Sequence, residues 1–347
     1  MIIREKEPAN LEMTFSSLES RITPSENFYV RSHFPVPKID SDTWRLSIEG
    51  AVAQPHEFTL DEVRALPKQT TEMTMECAGN GRVFLVPKAK GVQWELGAGG
   101  NAKWSGALLR NVLAAAGLRD EARHIVLEGA DRGPIAEPPR PAGEIHFARS
   151  MPREKALDDV LLAYEMNGEP LSPAHGFPLR AIVPGWYGMA SVKWLRRIVV
   201  LDREFGGYYE TVDYGCWRRD AAGPVLIPLR EMQVKSQIAR PAMGEQICAG
   251  SLYKIAGAAW TSEAEITRVE ITSDEGKTWH EASLLGDSIR NAWRLWEMEW
   301  QAPQTRGSYT LRSRATDSLG RSQAMQHDAN RGSYMVNFCL PIEIEVV

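Results

Sequence analysis

The sequence predicts two joined units of different class, an α+β domain over residues 1–238 and an all-β sandwich over residues 239–347. Two observations predict this. Before Ile238, helical and strand-like runs mix without regular alternation, which excludes a doubly wound sheet or a TIM barrel and leaves an α+β arrangement. After it, helical periodicity disappears and short alternating runs are separated by turn residues, the pattern of a two-layer β-fold. Pro241 and Gly244 punctuate the change. At 347 residues the chain is long enough for two cores.

In the first unit, strands are expected at residues 44–48 and 124–127. A helix is expected over 59–65 behind Thr59, whose hydroxyl can accept from the free N–H groups of a first turn. A second is expected over 108–116, where apolar residues recur at helical spacing and Gly117 supplies the stop. In the second unit, residues 266–272 alternate and turn at Asp274-Glu275-Gly276 into 278–282, a hairpin signal. Residues 294–300, 308–315 and 342–347 add strands at the spacing of an immunoglobulin-like sandwich without its disulfide.

A net charge of -5 argues against nucleic acid as a partner, so anion recognition must come from local arginines. The four cysteines, Cys77, Cys216, Cys248 and Cys339, lie far apart and form neither CxxC nor a zinc spacing. They do not make a disulfide framework, which favours a reducing compartment. The first residues are charged, without a hydrophobic leader or twin-arginine signal. No apolar run approaches the roughly 20 residues of a membrane helix. The expectation is a cytoplasmic protein without membrane contact, or a periplasmic one if an export signal has been removed.

The run Glu76-Cys77-Ala78-Gly79-Asn80-Gly81-Arg82 says most about chemistry. Gly79, Asn80 and Gly81 favour a tight turn. Met73-Thr74-Met75 reads as a strand leading into it, so the thiol should emerge at a strand end. Arg82 can favour the thiolate, the form that binds metals. A small buried hydrophobe is the other reading of such a cysteine, and the heptapeptide alone leaves both open.

Further segments surround this cysteine with candidate partners. Phe28-Tyr29-Val30-Arg31-Ser32-His33 places an arginine and a histidine on one face of an extended run. His175-Gly176-Phe177-Pro178-Leu179-Arg180 leads on to Ser191-Val192-Lys193-Trp194, and these donors suit a phosphate and polar ring atoms. Lys90-Gly91-Val92-Gln93-Trp94 adds a cation and an indole, and Asn330-Arg331-Gly332 lies in the β unit. With Ala163-Tyr164-Glu165-Met166-Asn167-Gly168 and Ala292-Trp293-Arg294-Leu295-Trp296, these motifs occur in order over nearly the whole chain. The chain thereby resembles the sulfite oxidase family of molybdenum enzymes.

The resemblance implies a molybdopterin-binding domain of the sulfite oxidase type and a C-terminal dimerisation domain. Cys77 would supply the protein's thiolate to molybdenum, a soft ligand for a redox-active metal, beside a pterin dithiolene. Tyr29, Val30, Arg31, Ser32, His33, Asp131, His175, Arg180, Ser191, Val192 and Lys193 match positions that hold molybdopterin and its phosphate. Arg31, Arg82, Trp94, Tyr214 and Arg331 match the oxyanion pocket, with Lys90 and Asp213 behind it. Converging arginines need an anion to neutralise them. The implied reaction is oxidation of sulfite to sulfate.

Many relatives have two arginines after the asparagine, where this chain has Gly81 and then Arg82. Nitrate reductase, built on the same molybdenum domain, is the alternative activity. Its pattern puts asparagine at Tyr214 and methionine at Arg331. A non-catalytic molybdopterin-binding protein is the third reading. No CxxCH haem motif and no flavin or dinucleotide fingerprint is present, so electrons are expected to leave to oxygen or to an external carrier such as a cytochrome. A homodimer is expected, with Trp293, Trp296 and Trp300 packing internally or against a partner.

Overall fold

The computed structural model describes residues 1–347. A small antiparallel sheet of Ile2–Glu5, Asn10–Glu12 and Val30–Arg31 opens the chain. Two five-stranded sheets follow. One runs Glu169–Pro170, Leu161–Met166, Gly99–Leu108, Lys68–Glu76, with Arg180–Ile182 pairing alongside Leu161–Met166. The other runs His56–Phe58, Leu46–Gly50, Leu195–Leu201, His124–Pro134, Glu144–Pro152. Its central strand, Leu195–Leu201, lies parallel to Leu46–Gly50 and antiparallel to His124–Pro134. This mixed arrangement fits the α+β expectation.

The expected helices form for the expected reasons. Leu60–Ala65 starts behind Thr59, whose hydroxyl accepts from Glu62 N while the Glu62 carboxylate accepts from Thr59 N at 2.7 Å. These reciprocal bonds satisfy two otherwise free donors. Leu60 and Val63 face the core. Leu109–Ala116 ends at Gly117, whose φ of 67° places it among left-handed conformations that favour glycine. The helix buries Leu109, Val112, Leu113 and Ala116 in the same core as Leu46, Ile48, Ile125, Leu127, Leu195 and Ile198.

The second unit is two β-layers. One sheet joins Lys235–Arg240, Leu252–Trp260, Arg294–Gln301 and Ser283–Leu284. The other joins Gln246–Ile247, Ile342–Val346, Gly307–Asp317, Ile266–Thr272 and His280–Glu281. Ile255 and Trp296 of the first share a core with Val269, Leu311 and Ile344 of the second. Ile342–Val346 alternates buried and exposed residues, as a strand with one wet face must. Trp293, Trp296 and Trp300 are all buried within the chain. The strand Lys235–Arg240 runs across the expected boundary at Ile238.

The two units are closely joined beside the Cys77 loop. Lys68–Glu76 pairs with Gly99–Leu108 along its length, and the chain then turns, with Cys77 N donating to Ala98 O at 2.8 Å. Glu76 accepts from Lys235 Nζ at 2.7 Å and from Trp260 Nε1 at 2.9 Å. Lys235 also donates to Asn80 O, and Asn80 Nδ2 donates to Gln237 Oε1. Both members of the Glu76–Lys235 pair are buried. Removing one partner strands the other charge, so Lys235→Met is expected to destabilise by about 3–5 kcal/mol. Adding Glu76→Gln should recover part of that loss. Denaturant unfolding of the single and double variants measures both, and an unchanged midpoint for Lys235→Met would contradict the role given to the pair.

Candidate active site

The end of the Lys68–Glu76 strand delivers Cys77 to the wall of a cavity. The thiol is buried, and Asn80 N donating to Cys77 O at 2.9 Å closes the turn that presents it. Val30–Arg31 brings Tyr29, Arg31, Ser32 and His33 to the same cavity. The strand His124–Pro134 contributes Asp131. The turn Pro173–His175, the strand Arg180–Ile182 and the following loop add His175, Arg180, Ser191, Val192 and Lys193. Tyr214 completes the lining. Ten of the eleven expected cofactor-binding positions, together with Cys77 and Tyr214, therefore meet at one place.

The remaining expected site residues lie outside the lining. Val30 is buried in the small N-terminal sheet, paired with Leu11, and fixes its two neighbours through the backbone. Trp94 is buried in the apolar cluster that contains Cys77, with no hydrogen-bond partner for its indole N–H. Arg82 donates from Nη1 to Val92 O at 2.7 Å and from Nε to Ser333 O at 3.1 Å. A Cβ on Gly79 would come within 2.2 Å of its guanidinium, and one on Gly91 within 2.8 Å, so the two glycines make the slot it occupies. Arg331 donates to Asn337 Oδ1 at 2.6 Å and pairs with Asp328 at 3.6 Å. The expectation that three arginines converge on one pocket is corrected on this point. Only Arg31 lines the cavity, because carbonyls hold Arg82 and its own turn holds Arg331.

Lys90 is an exposed surface group paired with Glu137. Asp213 sits behind Tyr214, where one carboxylate oxygen accepts from Tyr214 N at 2.9 Å and from Tyr334 Oη at 2.5 Å. Gly81 has a φ of 94°, and a Cβ there would lie 3.2 Å from both Leu340 and Val336. Backbone and space alike suit glycine at the position where many relatives carry arginine.

The electrostatics of the cavity are lopsided. Every hydrogen bond made by its three cations ends on a neutral acceptor. Arg180 donates to His175 O, Ser191 O and Met75 Sδ. Lys193 donates to Ser32 Oγ at 3.1 Å and Ala174 O at 2.9 Å. Arg31 donates to Ser32 O and Asn10 Oδ1. Burial lowers Arg180 to about 10 and holds Lys193 well below its ordinary value. Burial also raises Asp131, the one carboxylate of the lining, to about 7, a shift that the Lys193 charge opposes. Asp131 Oδ1 and Arg180 Nε have no partner at all.

The two histidines are neutral in these surroundings. Burial, then the charges of Arg180 and Lys193, lower His175 to about 4. Its Nδ1 lies 2.8 Å from Ser172 Oγ and its Nε2 lies 3.3 Å from Phe28 O. Burial and the Arg31, Lys193 and Arg149 charges likewise hold His33 well below its ordinary value. The His33 ring stacks on Phe147 at 4.3 Å, and its Nε2 is 2.6 Å from Tyr214 Oη. Burial raises the Tyr214 phenol, which stays protonated. Phe147 escapes sequence reasoning because an aromatic inside a strand reads as core.

A cavity lined by one buried and two half-buried cations, orphaned polar atoms and one thiol fits an anionic, metal-bearing organic group. Arginine, lysine and serine donors suit a phosphate, and a buried sulfur suits a soft metal. The donors present therefore match a molybdopterin with its metal.

Comparison with known proteins agrees with this geometry. Residues 33–209 match the family model described as oxidoreductase molybdopterin binding domain, and residues 227–346 match the Mo-co oxidoreductase dimerisation domain. The mitochondrial sulfite oxidase of Drosophila melanogaster is 36% identical over 99% of this chain and 62% of its own length. The mitochondrial sulfite oxidase of Rattus norvegicus is 36% identical over 91% of this chain and 60% of its own. This chain thus spans about three fifths of the length of these curated relatives. The crystal structure of the sulfane dehydrogenase SoxCD from Paracoccus pantotrophus superposes with a TM-score of 0.82 at 30% identity, covering 96% of this chain and 83% of that one. The chain belongs to the sulfite oxidase family of molybdopterin-binding oxidoreductases.

Proposed function

We propose that this chain oxidises sulfite to sulfate with molybdenum–molybdopterin held in the Cys77 cavity. The observation that carries the reading is one cavity lined by a buried thiol, a tyrosine and cations that lack carboxylate partners. In this reading Cys77 is the protein's ligand to the metal. Tyr29, Asp131, His175, Arg180, Ser191 and Lys193 hold the pterin and its phosphate, with Ser32, His33 and the backbone around Val30 and Val192 completing the seat. The bound group supplies the oxygen-atom transfer and two-electron redox chemistry that no side chain here can provide. Sulfite and water yield sulfate, two protons and two electrons, and the electrons pass to oxygen or to a separate carrier such as a cytochrome.

The protein's own part is binding, orientation and proton control. Arg31 faces the cavity and attracts the sulfite dianion, with Arg82 and Arg331 adding positive charge from behind the wall. Trp94 backs the Cys77 loop with a rigid apolar surface. Tyr214 offers a hydroxyl, hydrogen-bonded to His33 Nε2, that holds a proton beside the substrate, and the neutral imidazole adds no positive charge. Tyr214 and Arg331 both depart from the asparagine and methionine of the nitrate-reducing pattern. That difference supports sulfite over nitrate.

We also propose that the second unit is an immunoglobulin-like dimerisation domain that begins ahead of Lys235. The hydrogen bonds of Lys235–Arg240 to Leu252–Trp260 and the match to a dimerisation-domain model support this reading. Light scattering should give twice the chain mass in solution. A concentration-independent monomer would defeat it and leave the enzymatic reading intact.

The activity is tested by assaying molybdenum-loaded protein for sulfite-dependent reduction of ferricyanide, with nitrate reduction as the competing assay. No sulfite turnover at full molybdenum content would overturn the proposal. Arg31→Met removes a charge-assisted contact worth roughly 1.5–3 kcal/mol, or one to two decades in kcat/KM. Most of the loss should appear in KM, because the charge is already present on free sulfite. Arg331→Met, whose guanidinium is held by Asn337 and Asp328, should raise KM by less. An effect of Arg331→Met equal to that of Arg31→Met would show that both arginines touch the anion.

A further inference from the structure

Tyr334 belongs to the second unit, where its N–H donates to Arg331 O, yet its side chain reaches the first. Its hydroxyl donates to Asp213 Oδ1 at 2.5 Å, and the same oxygen accepts from Tyr214 N at 2.9 Å. Its ring faces that of Tyr214 with centroids 4.9 Å apart and planes inclined by 32°. The Arg82 guanidinium lies 5.2 Å from the Tyr334 centroid, a cation–π distance. One backbone bond and one side-chain bond anchor the segment beside it, with Met335 N donating to Ala78 O and Arg82 Nε donating to Ser333 O. Tyr214 itself has a φ of 54°, a left-handed conformation that non-glycine residues seldom adopt. Such a conformation persists only when its surroundings hold it.

We infer that Tyr334 is a positioning residue that holds Tyr214 in place over the cavity and couples it to Arg82. The inference rests on the reading of Tyr214 as a group that touches the substrate. The contacts form a closed loop: Tyr334 ring, Tyr214 ring, Tyr214 N–H, Asp213 carboxylate, Tyr334 hydroxyl. A phenol that only filled the boundary between units would need no acceptor beside Tyr214. Here the acceptor is the carboxylate that also fixes the left-handed turn. Arg82 does not line the cavity, so its stack on Tyr334 gives it an indirect connection to Tyr214. In this account the second unit contributes to the site from outside the cavity, through one aromatic ring.

The test is a double-mutant cycle on the molybdenum-loaded protein, combining Tyr334→Phe with Tyr214→Phe. Tyr334→Phe keeps the ring and removes only the bond to Asp213. It should raise the KM for sulfite about ten-fold, change kcat less, and weaken sulfate binding by a similar factor in calorimetry. In the Tyr214→Phe background the same substitution should add less than about two-fold to either quantity. If it adds its full effect there, or if Tyr334→Phe alone changes neither KM nor sulfate affinity, the positioning role is wrong. If Tyr214→Phe is itself without effect on sulfite KM and sulfate binding, the reading of Tyr214 as a substrate contact falls, and the positioning role with it. Should Tyr334→Phe fail to fold, Asp213→Ala breaks the loop at its other member and faces the same criteria.

Discussion

The buried ion pair between Glu76 and Lys235 is the constraint on which the rest of the site depends. Glu76 is the last residue of its strand, and Cys77 is the next along the chain. Lys235 and Trp260 both come from the second unit, so the carboxylate that ends the strand is held from across the boundary. Desolvating two charges is costly, and what such a pair offers in return is a unique arrangement when every remaining donor and acceptor is satisfied. Here the remaining positions go to Asn80 and Trp260, and Asn80 reaches on to Gln237 and Ala98. The turn carrying the thiol is thereby fixed by both units. A site on so short a loop gains its precision from this support.

The cavity in front of that loop shows the opposite economy of charge. Arg149, just behind it, is paired with Glu210 and donates to main-chain carbonyls. Arg180 and Lys193 have no carboxylate partner, and burial shifts both away from the charged form. The lining sets three cations against a single carboxylate, Asp131, which burial pushes toward its neutral form. Leaving them unmatched makes sense when an anion belongs in the cavity. Neutral His33 and His175 then contribute fixed hydrogen-bonding groups without raising the positive charge further.

Much of this was legible in the sequence because it is local. Thr59 and Glu62 announce a helix start, Gly117 announces an end, and Asp274-Glu275-Gly276 announces a turn between strands. Cys77 emerges at a strand end because three turn-forming residues follow it. The family resemblance also pointed to Cys77 and to most of the polar side chains of the cavity lining, but not to Phe147, Gly188 or Met189. What was not legible is side-chain direction. Arg82 and Arg331 read as substrate arginines from their positions, but slots made by Gly79 and Gly91, and by Asn337 and Asp328, turn their guanidiniums elsewhere. Lys235 and Tyr334 carry no local signal at all. Each is an ordinary residue in a β-rich segment until the fold sets it beside Glu76 or Tyr214.

The central claim is that the thiol of Cys77 completes the coordination of molybdenum in this cavity. Molybdenum K-edge X-ray absorption on loaded wild-type protein and on Cys77→Ser tests it most directly, since it counts sulfur around the metal without relying on turnover. On the proposed reading the pterin would supply the other sulfurs and residues on other segments would hold its phosphate, so the variant should keep its molybdenum and show one sulfur scatterer fewer. An unchanged sulfur shell in the serine variant at full molybdenum content would contradict the account.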